Sequence, residues 1–428
     1  MYQLYSVVLA LLALGYFPLF LVRKVWGAGY PVALRERLGF VRIPAPPLPG
    51  GRFWVHAVSV GEVMAAVPLV QALSARWPAG DVVVSTVTAT GERVARSRLA
   101  EATATLTFPL DFPGPVRRVV RRMKPGCFIA LETELWPNLL RALRLAGVPA
   151  VLANGRISDR SYRRYRLVRR LFGRVLDGIA LFCMQSEEDA RRIISLGARP
   201  ERVVVTGNLK MEVPSGAAGA DQLWRRLLHL GQAPVVVAGS THRGEEAAVL
   251  DAFLTARPVA DGLRLVLAPR HPERLDEVEA LVRTRGLAVV RRSRVSSEKA
   301  AEVILLDTMG ELASLYAAAD VIFVGGSLVP SGGHNVVEPA LQSKAVVFGP
   351  HMENFREAAA LLLRDAAAVQ VKDAPELAIV LGRLLADGPA RLALGRAAWD
   401  AVRSRQGACV RTIAALERVL AVGARDVG

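Results

Sequence analysis

The chain is poor in the residues that disulfide and metal chemistry need. Its 428 residues include three cysteines. Cys127, Cys183 and Cys409 are far apart, odd in number and form no C-x-x-C pair, which argues against a disulfide framework or a zinc site and fits a reducing compartment. His56, His242, His271 and His334 never fall into H-E-x-x-H or a comparable ligand spacing. No D-x-D triplet offers a metal–diphosphate clamp, so no metal and no cofactor are expected. There is no G-x-S-x-G elbow and no P-loop lysine motif either. Acidic residues are scarce, 39 against 55 Lys and Arg, for a net charge of +16. The imbalance is local: residues 1–215 hold 30 of the 55 basic and 15 of the 39 acidic side chains, a net of +15, which leaves 25 minus 24, or +1, for the rest. An anionic partner is therefore expected at the N-terminal half alone.

The first 22 residues, MYQLYSVVLALLALGYFPLFLV, carry no charge, and Arg23 and Lys24 follow at once. A cleaved signal peptide would place its positive charge before the apolar stretch and end on small residues, and this segment does neither. Its length suits one spanning helix, read here as a membrane anchor over 1–24. Arg23, Lys24, Arg35 and Arg37 on its C-terminal side keep the remaining chain cytoplasmic under the positive-inside rule. Gly15 and Pro18 favour the competing reading of a buried N-terminal helix.

A hydrophobic content of 52% is ample for two cores. From Phe53 short apolar runs alternate with helix-length stretches: FWVHAVS, DVVVSTVT, TLTFPL, CFIALE, PAVLANG, IALFCMQS and RVVVTGN. After a Gly, Ala and Pro-rich segment, Met211–Gln222, a second series follows: PVVVAGS, LRLVLAPR, LAVVRRS, EVILLDT, DVIFVGGS and KAVVFGP. Continuous apolar strands separated by helices belong to parallel sheets covered on both faces. The expected organisation is α/β, two Rossmann-like doubly wound domains at 35–212 and 222–405 facing a cleft, with a C-terminal helix over 406–428. Ligands are expected beyond the carboxyl ends of the strands.

Those strand ends carry candidate site residues. In the second domain they are Gly239 and Ser240, then Arg270 and His271, then Met309, Gly310 and Glu311, then the turn LVPSGGHNVVEPAL. Together they suit a nucleotide: N–H groups at the helix start near Asn335 for a phosphate, Arg270 for a second contact, Glu338 for ribose hydroxyls. Gly332 and Gly333 suit a tight turn equally well, and Glu338 suits a first-turn helix carboxylate. In the first domain Glu62, in SVGE, is placed to act as a general base or as an exposed helix acid. Glu132 and Glu134 close another apolar run; one is expected to line the cleft while the other caps a helix or pairs with an arginine. Lys210, in TGNLK, suits an anion or plain solvent exposure.

Ser158–Val175 holds seven arginines within 160–174 and no acid after Asp159. Leu167, Val168, Leu171, Phe172 and Val175 recur at helical spacing, so one amphipathic helix with an apolar and a strongly basic face is expected. RRVVRRMK, Arg117–Lys124, adds five positive charges. Such surfaces suit an anionic leaflet or a lipid headgroup phosphate. No nucleic-acid-binding module accompanies the charge, and nucleic acid is not an expected partner.

The succession SVGE, ETELWPN, GRISDRSY, GNLK, AGSTHRGEE, APRHPER, LLDTMGEL and GGHNVVEPA resembles the 3-deoxy-D-manno-octulosonic acid (Kdo) transferases of lipopolysaccharide synthesis, over nearly the whole chain. The resemblance implies a GT-B fold. It implies CMP-Kdo as donor, a lipid A precursor (lipid IVA) as acceptor, and inverting, metal-independent transfer at the cytoplasmic face of the bacterial inner membrane. By motif match, Glu62 corresponds to the general base, and Glu132 and Lys210 to residues that stabilise the transition state. Pro269, Arg270, Met309, Gly310, Glu311, Asn335, Val336, Val337 and Glu338 correspond to the segments that hold CMP. Three alternatives stand beside this reading: a GT-B enzyme using a UDP-sugar, a UDP-N-acetylglucosamine 2-epimerase-like isomerase, and a non-catalytic, membrane-tethered binder of anions.

Overall fold

In the computed structural model, which describes residues 2–25, 33–43, 51–212, 219–295 and 301–425, every apolar run named above becomes a strand. In the first unit these are β1 (Arg52–His56), β2 (Asp81–Thr86), β3 (Ala104–Thr107), β4 (Cys127–Leu131), β5 (Ala150–Gly155), β6 (Leu181–Met184) and β7 (Val203–Val205). They form one parallel sheet in the order β3-β2-β1-β4-β5-β6-β7. Its two faces carry separate cores, one around Trp54, Phe108, Phe128 and Phe182, the other around Val55, Leu69, Leu73 and Ile129. Central strands are buried on both faces, hence their unbroken apolar runs.

β1 also buries a charge. Arg52 Nε donates to Asp81 Oδ2 at 2.7 Å and Arg52 Nη1 to the Met123 carbonyl at 2.9 Å, both side chains being almost wholly enclosed. His56 closes the same strand, stacked on Phe108 at 3.8 Å, and burial pushes its imidazole down to about 3.

The second unit contains β8 (Val235–Thr241), β9 (Arg264–Pro269), β10 (Val289–Arg291), β11 (Val303–Leu305), β12 (Val321–Val324), β13 (Ala345–Phe348) and β14 (Val369–Gln370), in the parallel order β10-β11-β9-β8-β12-β13-β14. β14, two residues long, leaves too short an apolar run to be read from the sequence. The chain divides into Met1–Glu212 with Gln406–Gly428, and Val213–Arg405. The terminal helix, Ala408–Arg425, is thus part of the first unit: Ala408, Cys409, Ala415 and Leu416 enter its core, and Arg411 Nε donates to the Thr206 carbonyl at 2.8 Å. Within the expected linker, 213–218 lie outside the described residues.

The N-terminal helix spans Tyr2–Val25. Asn138 Nδ2 donates to Ser6 Oγ at 3.0 Å, and the Arg141 guanidinium lies over the Tyr2 ring, while Leu4, Val7, Val8, Leu11 and Leu14 are exposed. Among the described residues no helix is long and apolar enough to cross a membrane. The side chains of Pro18, Arg23 and Lys24 lie outside the described residues.

The arginine-rich segment departs from expectation. It forms two helices, Asp159–Leu167 and Arg169–Leu176, broken at Val168, where φ is −114° and ψ 22°. The break interrupts the apolar stripe. Tyr165 and Phe172 stack on each other and pack on the core, whereas Leu167, Val168 and Leu171 face solvent. An open concavity of about 870 Å³ results, lined by these residues with Arg166, Arg169, Arg170 and Arg174.

Candidate active site

Ser59 caps the helix Val60–Arg76, and Glu62 answers it from the first turn. Glu62 N–H donates to Ser59 Oγ at 3.4 Å; Ser59 Oγ–H donates to Glu62 Oε1 at 3.0 Å and Val58 N–H to Glu62 Oε2 at 2.9 Å. This is a variant of the capping box, in which the glutamate reaches the Val58 N–H and the Ser59 hydroxyl rather than the Ser59 N–H. Glu62 is only 8% exposed, so it is not the solvated helix acid that the motif also allowed. Burial raises its carboxyl above the ordinary range; the Val58 N–H opposes this and the Glu132 charge reinforces it.

Glu132 follows β4 with φ +54°, a left-handed conformation unfavourable for a residue with a side chain. Its N–H is fixed by the Ala153 carbonyl at 2.9 Å, and its Oε1 accepts Lys210 Nζ at 2.7 Å. Lys210 is positioned by two asparagines. Asn154 Oδ1 accepts Leu209 N–H and Asn208 Oδ1 accepts Lys210 N–H, both at 2.9 Å. Glu132 therefore pairs with a lysine rather than an arginine. Glu134 is raised to about 7, first by burial, then by the charges of Glu62 and Glu132. The structure thus assembles Glu62, Glu132, Glu134 and Lys210, from three strand ends of one sheet, into a carboxylate cluster with one ammonium group. Burial and the neighbouring carboxylates let Glu134 hold a proton near neutral pH, and sequence spacing gave no sign of that.

In the second unit, Pro269 ends β9 and Arg270 follows it, exposed, its N–H bonded to the Thr241 carbonyl at 2.9 Å. Met309 is 74% exposed and Gly310 has φ +84°. Glu311 accepts from the Thr308 hydroxyl and pairs with Arg292 at 3.4 Å. The helix expected after Asn335 is a single turn, Val337–Ala340. Val337 N–H already donates to Asn335 Oδ1 at 2.9 Å, and Asn335 Nδ2 donates to Glu338 Oε1 at 3.0 Å; Val336 is buried beside them. This turn has no helix long enough to supply a phosphate-binding dipole. Gly332 and Gly333 take φ of +88° and +71°, and a Cβ would lie 2.3 Å from Asn354 Nδ2 or 2.4 Å from Met352 Sδ, so the turn's own packing requires both glycines.

Sequence reasoning passed over Glu245. Fully buried at the start of the helix Glu245–Ala256, its carboxylate accepts N–H groups from His242, Gly326, Ser327 and Leu328 at 2.6–2.9 Å. The two chain segments it joins are some eighty residues apart, and no local pattern announces the bond. Among the described residues no group of three or more His, Cys, Asp and Glu side chains is arranged to hold a metal ion.

Two parallel-sheet α/β domains in tandem make this a protein of the class that resembles GT-B glycosyltransferases. Anabaena HepE bound to UDP superposes with a TM-score of 0.51 at 16% identity, covering 85% of this chain and 98% of that one. A UDP-GlcNAc 2-epimerase from Neisseria meningitidis gives a TM-score of 0.55 at 12% identity over 86% and 100%. At these identities the likeness speaks for fold alone. Residues 33–213 match the family model of 3-deoxy-D-manno-octulosonic-acid transferase (kdotransferase). The chain is 34% identical to the 3-deoxy-D-manno-octulosonic acid transferase of Haemophilus influenzae, and 38% identical to that of Bordetella pertussis, in each case over 91% of this chain and 92% of the relative. The chain belongs to the Kdo transferase family: it is a glycosyltransferase that moves Kdo in lipopolysaccharide synthesis.

Proposed function

We propose that the donor is CMP-Kdo and the acceptor a lipid A precursor of the lipid IVA type, with Glu62 as the general base. The observation that carries this reading is the cluster of Glu62, Glu132 and Lys210: a proton acceptor, an anion and a cation held together on one sheet. The acceptor hydroxyl attacks the anomeric carbon and loses its proton to Glu62 as a new C–O bond forms. The bond to CMP breaks, and its electron pair stays on the phosphate. Positive charge grows on the sugar ring and negative charge on the leaving phosphate, so Glu132 near the ring and Lys210 near the phosphate lower the barrier. The second unit holds the nucleotide through Pro269, Arg270, Met309, Gly310, Glu311 and Asn335–Glu338. CMP leaves with less charge than a nucleoside diphosphate, and cationic side chains replace a metal ion in this scheme; no cofactor is needed.

The same reading places the enzyme on the cytoplasmic face of the bacterial inner membrane. Leu4, Val7, Val8, Leu11 and Leu14 form an exposed apolar stripe on the N-terminal helix, and Leu167, Val168 and Leu171 lie among arginines on the same unit. Apolar side chains enter the interface while arginines meet lipid phosphates, those of the acceptor included. Equilibrium binding tests the donor assignment. CMP is expected to bind at least about tenfold, or 1.4 kcal/mol, more tightly than UDP; equal or tighter binding of UDP would support a UDP-sugar enzyme instead.

A further inference from the structure

The N-terminal helix reverses the usual amphipathic order. Its exposed residues Leu4, Val7, Val8, Leu11 and Leu14 are apolar, whereas the partly buried Tyr2, Tyr5, Ser6 and Leu9, spaced i, i+3, i+4 and i+7, make the inward face. Tyr2, Tyr5 and Ser6 each engage a residue on, or capping, the helix Pro137–Leu145, which begins directly after the loop of Glu132 and Glu134. The Arg141 guanidinium lies 5.1 Å from the centre of the Tyr2 ring, Asn138 Nδ2 donates to Ser6 Oγ at 3.0 Å, and the Tyr5 hydroxyl donates to the Asp111 carboxylate.

Asp111 links that inward face to the loop. The helix Pro137–Leu145 has Trp136 at its N-cap, whose side chain cannot accept an N–H, so its first amides need an acceptor from elsewhere. Asp111, buried in the segment after β3, supplies it: Oδ2 accepts the Asn138 N–H at 3.1 Å and Oδ1 the Leu139 N–H at 2.8 Å. Asn138, also buried, returns the contact, its Nδ2 donating to the Asp111 carbonyl at 2.6 Å as well as to Ser6. Buried groups that lose a partner here gain no water in exchange. Residues 132–136, between β4 and this helix, belong to no helix or strand. They are held at the upstream end by Glu132 N–H on the Ala153 carbonyl and by the Thr133 hydroxyl on the Arg156 carbonyl. Trp136 packs on Phe108 with ring centres 5.0 Å apart, and the Asp111 cap holds the downstream end.

We propose that Asp111 and Asn138 are positioning residues for the transfer reaction, and that Tyr5 and Ser6 of the N-terminal helix complete the clamp that sets Glu132 and Glu134 in the carboxylate cluster. The helix is then a working part of the first unit, in addition to its part at the lipid interface. Tyr5 and Ser6 orient the two side chains that bind the start of the helix Pro137–Leu145. Without them the cap loosens, the downstream end of the loop is freed, and the carboxyls lose the placement that the developing charge requires. A misplacement of about 1 Å can cost about 10²-fold in rate, so two hydrogen bonds remote from the substrate are enough to register in kcat. The role of Glu132 rests on the Kdo-donor reading, whereas the clamp is a property of the fold, and the two are measured separately.

The test uses the full chain in detergent micelles, where no bilayer has to be gripped, and takes two readouts: hydrogen exchange of the amides over 132–140, and transfer from CMP-Kdo to lipid IVA. Tyr5→Phe combined with Ser6→Ala is expected to speed exchange at Asn138 and Leu139 about tenfold and to lower kcat about 10–100-fold, with KM for lipid IVA and affinity for CMP unchanged. Asn138→Leu, which loses both donations, is expected to do the same. Ser6→Thr, which keeps a hydroxyl, and Gln3→Ala, on the exposed side of the helix, are expected to match the parent in both readouts. Parental exchange in the double variant overturns the clamp. Faster exchange with the parent's kcat overturns the positioning role and leaves the helix an interface element. A fall in kcat that comes with weaker CMP binding and faster exchange throughout the first unit marks general loosening and overturns it too. No transfer by the unmodified chain overturns the donor and acceptor reading, and the positioning role with it.

Discussion

Glu62 closes the first turn of its helix, and in the proposed reaction it also takes the acceptor's proton. Glu62→Gln preserves most of the cap, because the amide oxygen accepts the Val58 N–H while the amide nitrogen donates to Ser59 Oγ. Transfer is expected to fall by about 10²–10⁴-fold, with CMP affinity unchanged, as rate and nucleotide titration will show together. Lys210→Met leaves Glu132 beside two other carboxyls without its cation; a loss of about 10²–10³-fold in kcat is expected, with a smaller change in KM. Glu134 makes a prediction about stability. Its folded-state carboxyl is raised to about 7, so its contribution is fully present below its unfolded value near 4.5 and is lost as pH rises through 7. Glu134→Gln is therefore expected to melt like the parent at pH 4 and to be more stable than it by about 1–3 kcal/mol at pH 8. Equal melting differences at both pH values would contradict the raised carboxyl.

At the scale of elements, the strands were legible because a parallel sheet buried on both faces needs unbroken apolar runs, and such runs are local. What local pattern cannot carry is partnership across distance. Nothing adjacent to Glu245 points to Gly326–Leu328, and nothing adjacent to Asp111 points to the helix start at Asn138. The arginine segment failed differently: a 3.6-residue stripe predicts one helix, and a single β-branched residue leaving helical geometry at Val168 turned half of that stripe outward. Arg52, which no sequence motif singled out, forms a buried ion pair with Asp81 inside β1. Removing one partner of such a pair strands the other, so Asp81→Asn is expected to cost about 3–5 kcal/mol in chemical denaturation. Loss within experimental error would mean that water reaches Arg52.

Across the whole molecule, charge and chemistry are divided between the units. The first unit carries most of the basic excess, the carboxylate cluster and the exposed apolar stripe; the second carries loops suited to a nucleotide. A membrane-facing role for the first unit predicts binding to vesicles containing anionic lipid that weakens as salt rises, because exposed charges are screened over about 8–10 Å at physiological ionic strength. Replacing Arg166, Arg169, Arg170 and Arg174 by serine is expected to lower vesicle binding at low salt while CMP affinity stays the same. The central claim, that this chain moves Kdo from CMP-Kdo onto a lipid A precursor with Glu62 as base and without a metal, meets its most direct test in mass analysis of the lipid. The full chain is incubated with CMP-Kdo and lipid IVA, with and without chelator, alongside Glu62→Gln. The account predicts mass gain in whole Kdo steps at the same rate in both conditions and a rate lower by about 10²–10⁴-fold in the variant. No gain, gain that chelator abolishes, or gain by Glu62→Gln at the parent's rate would contradict it.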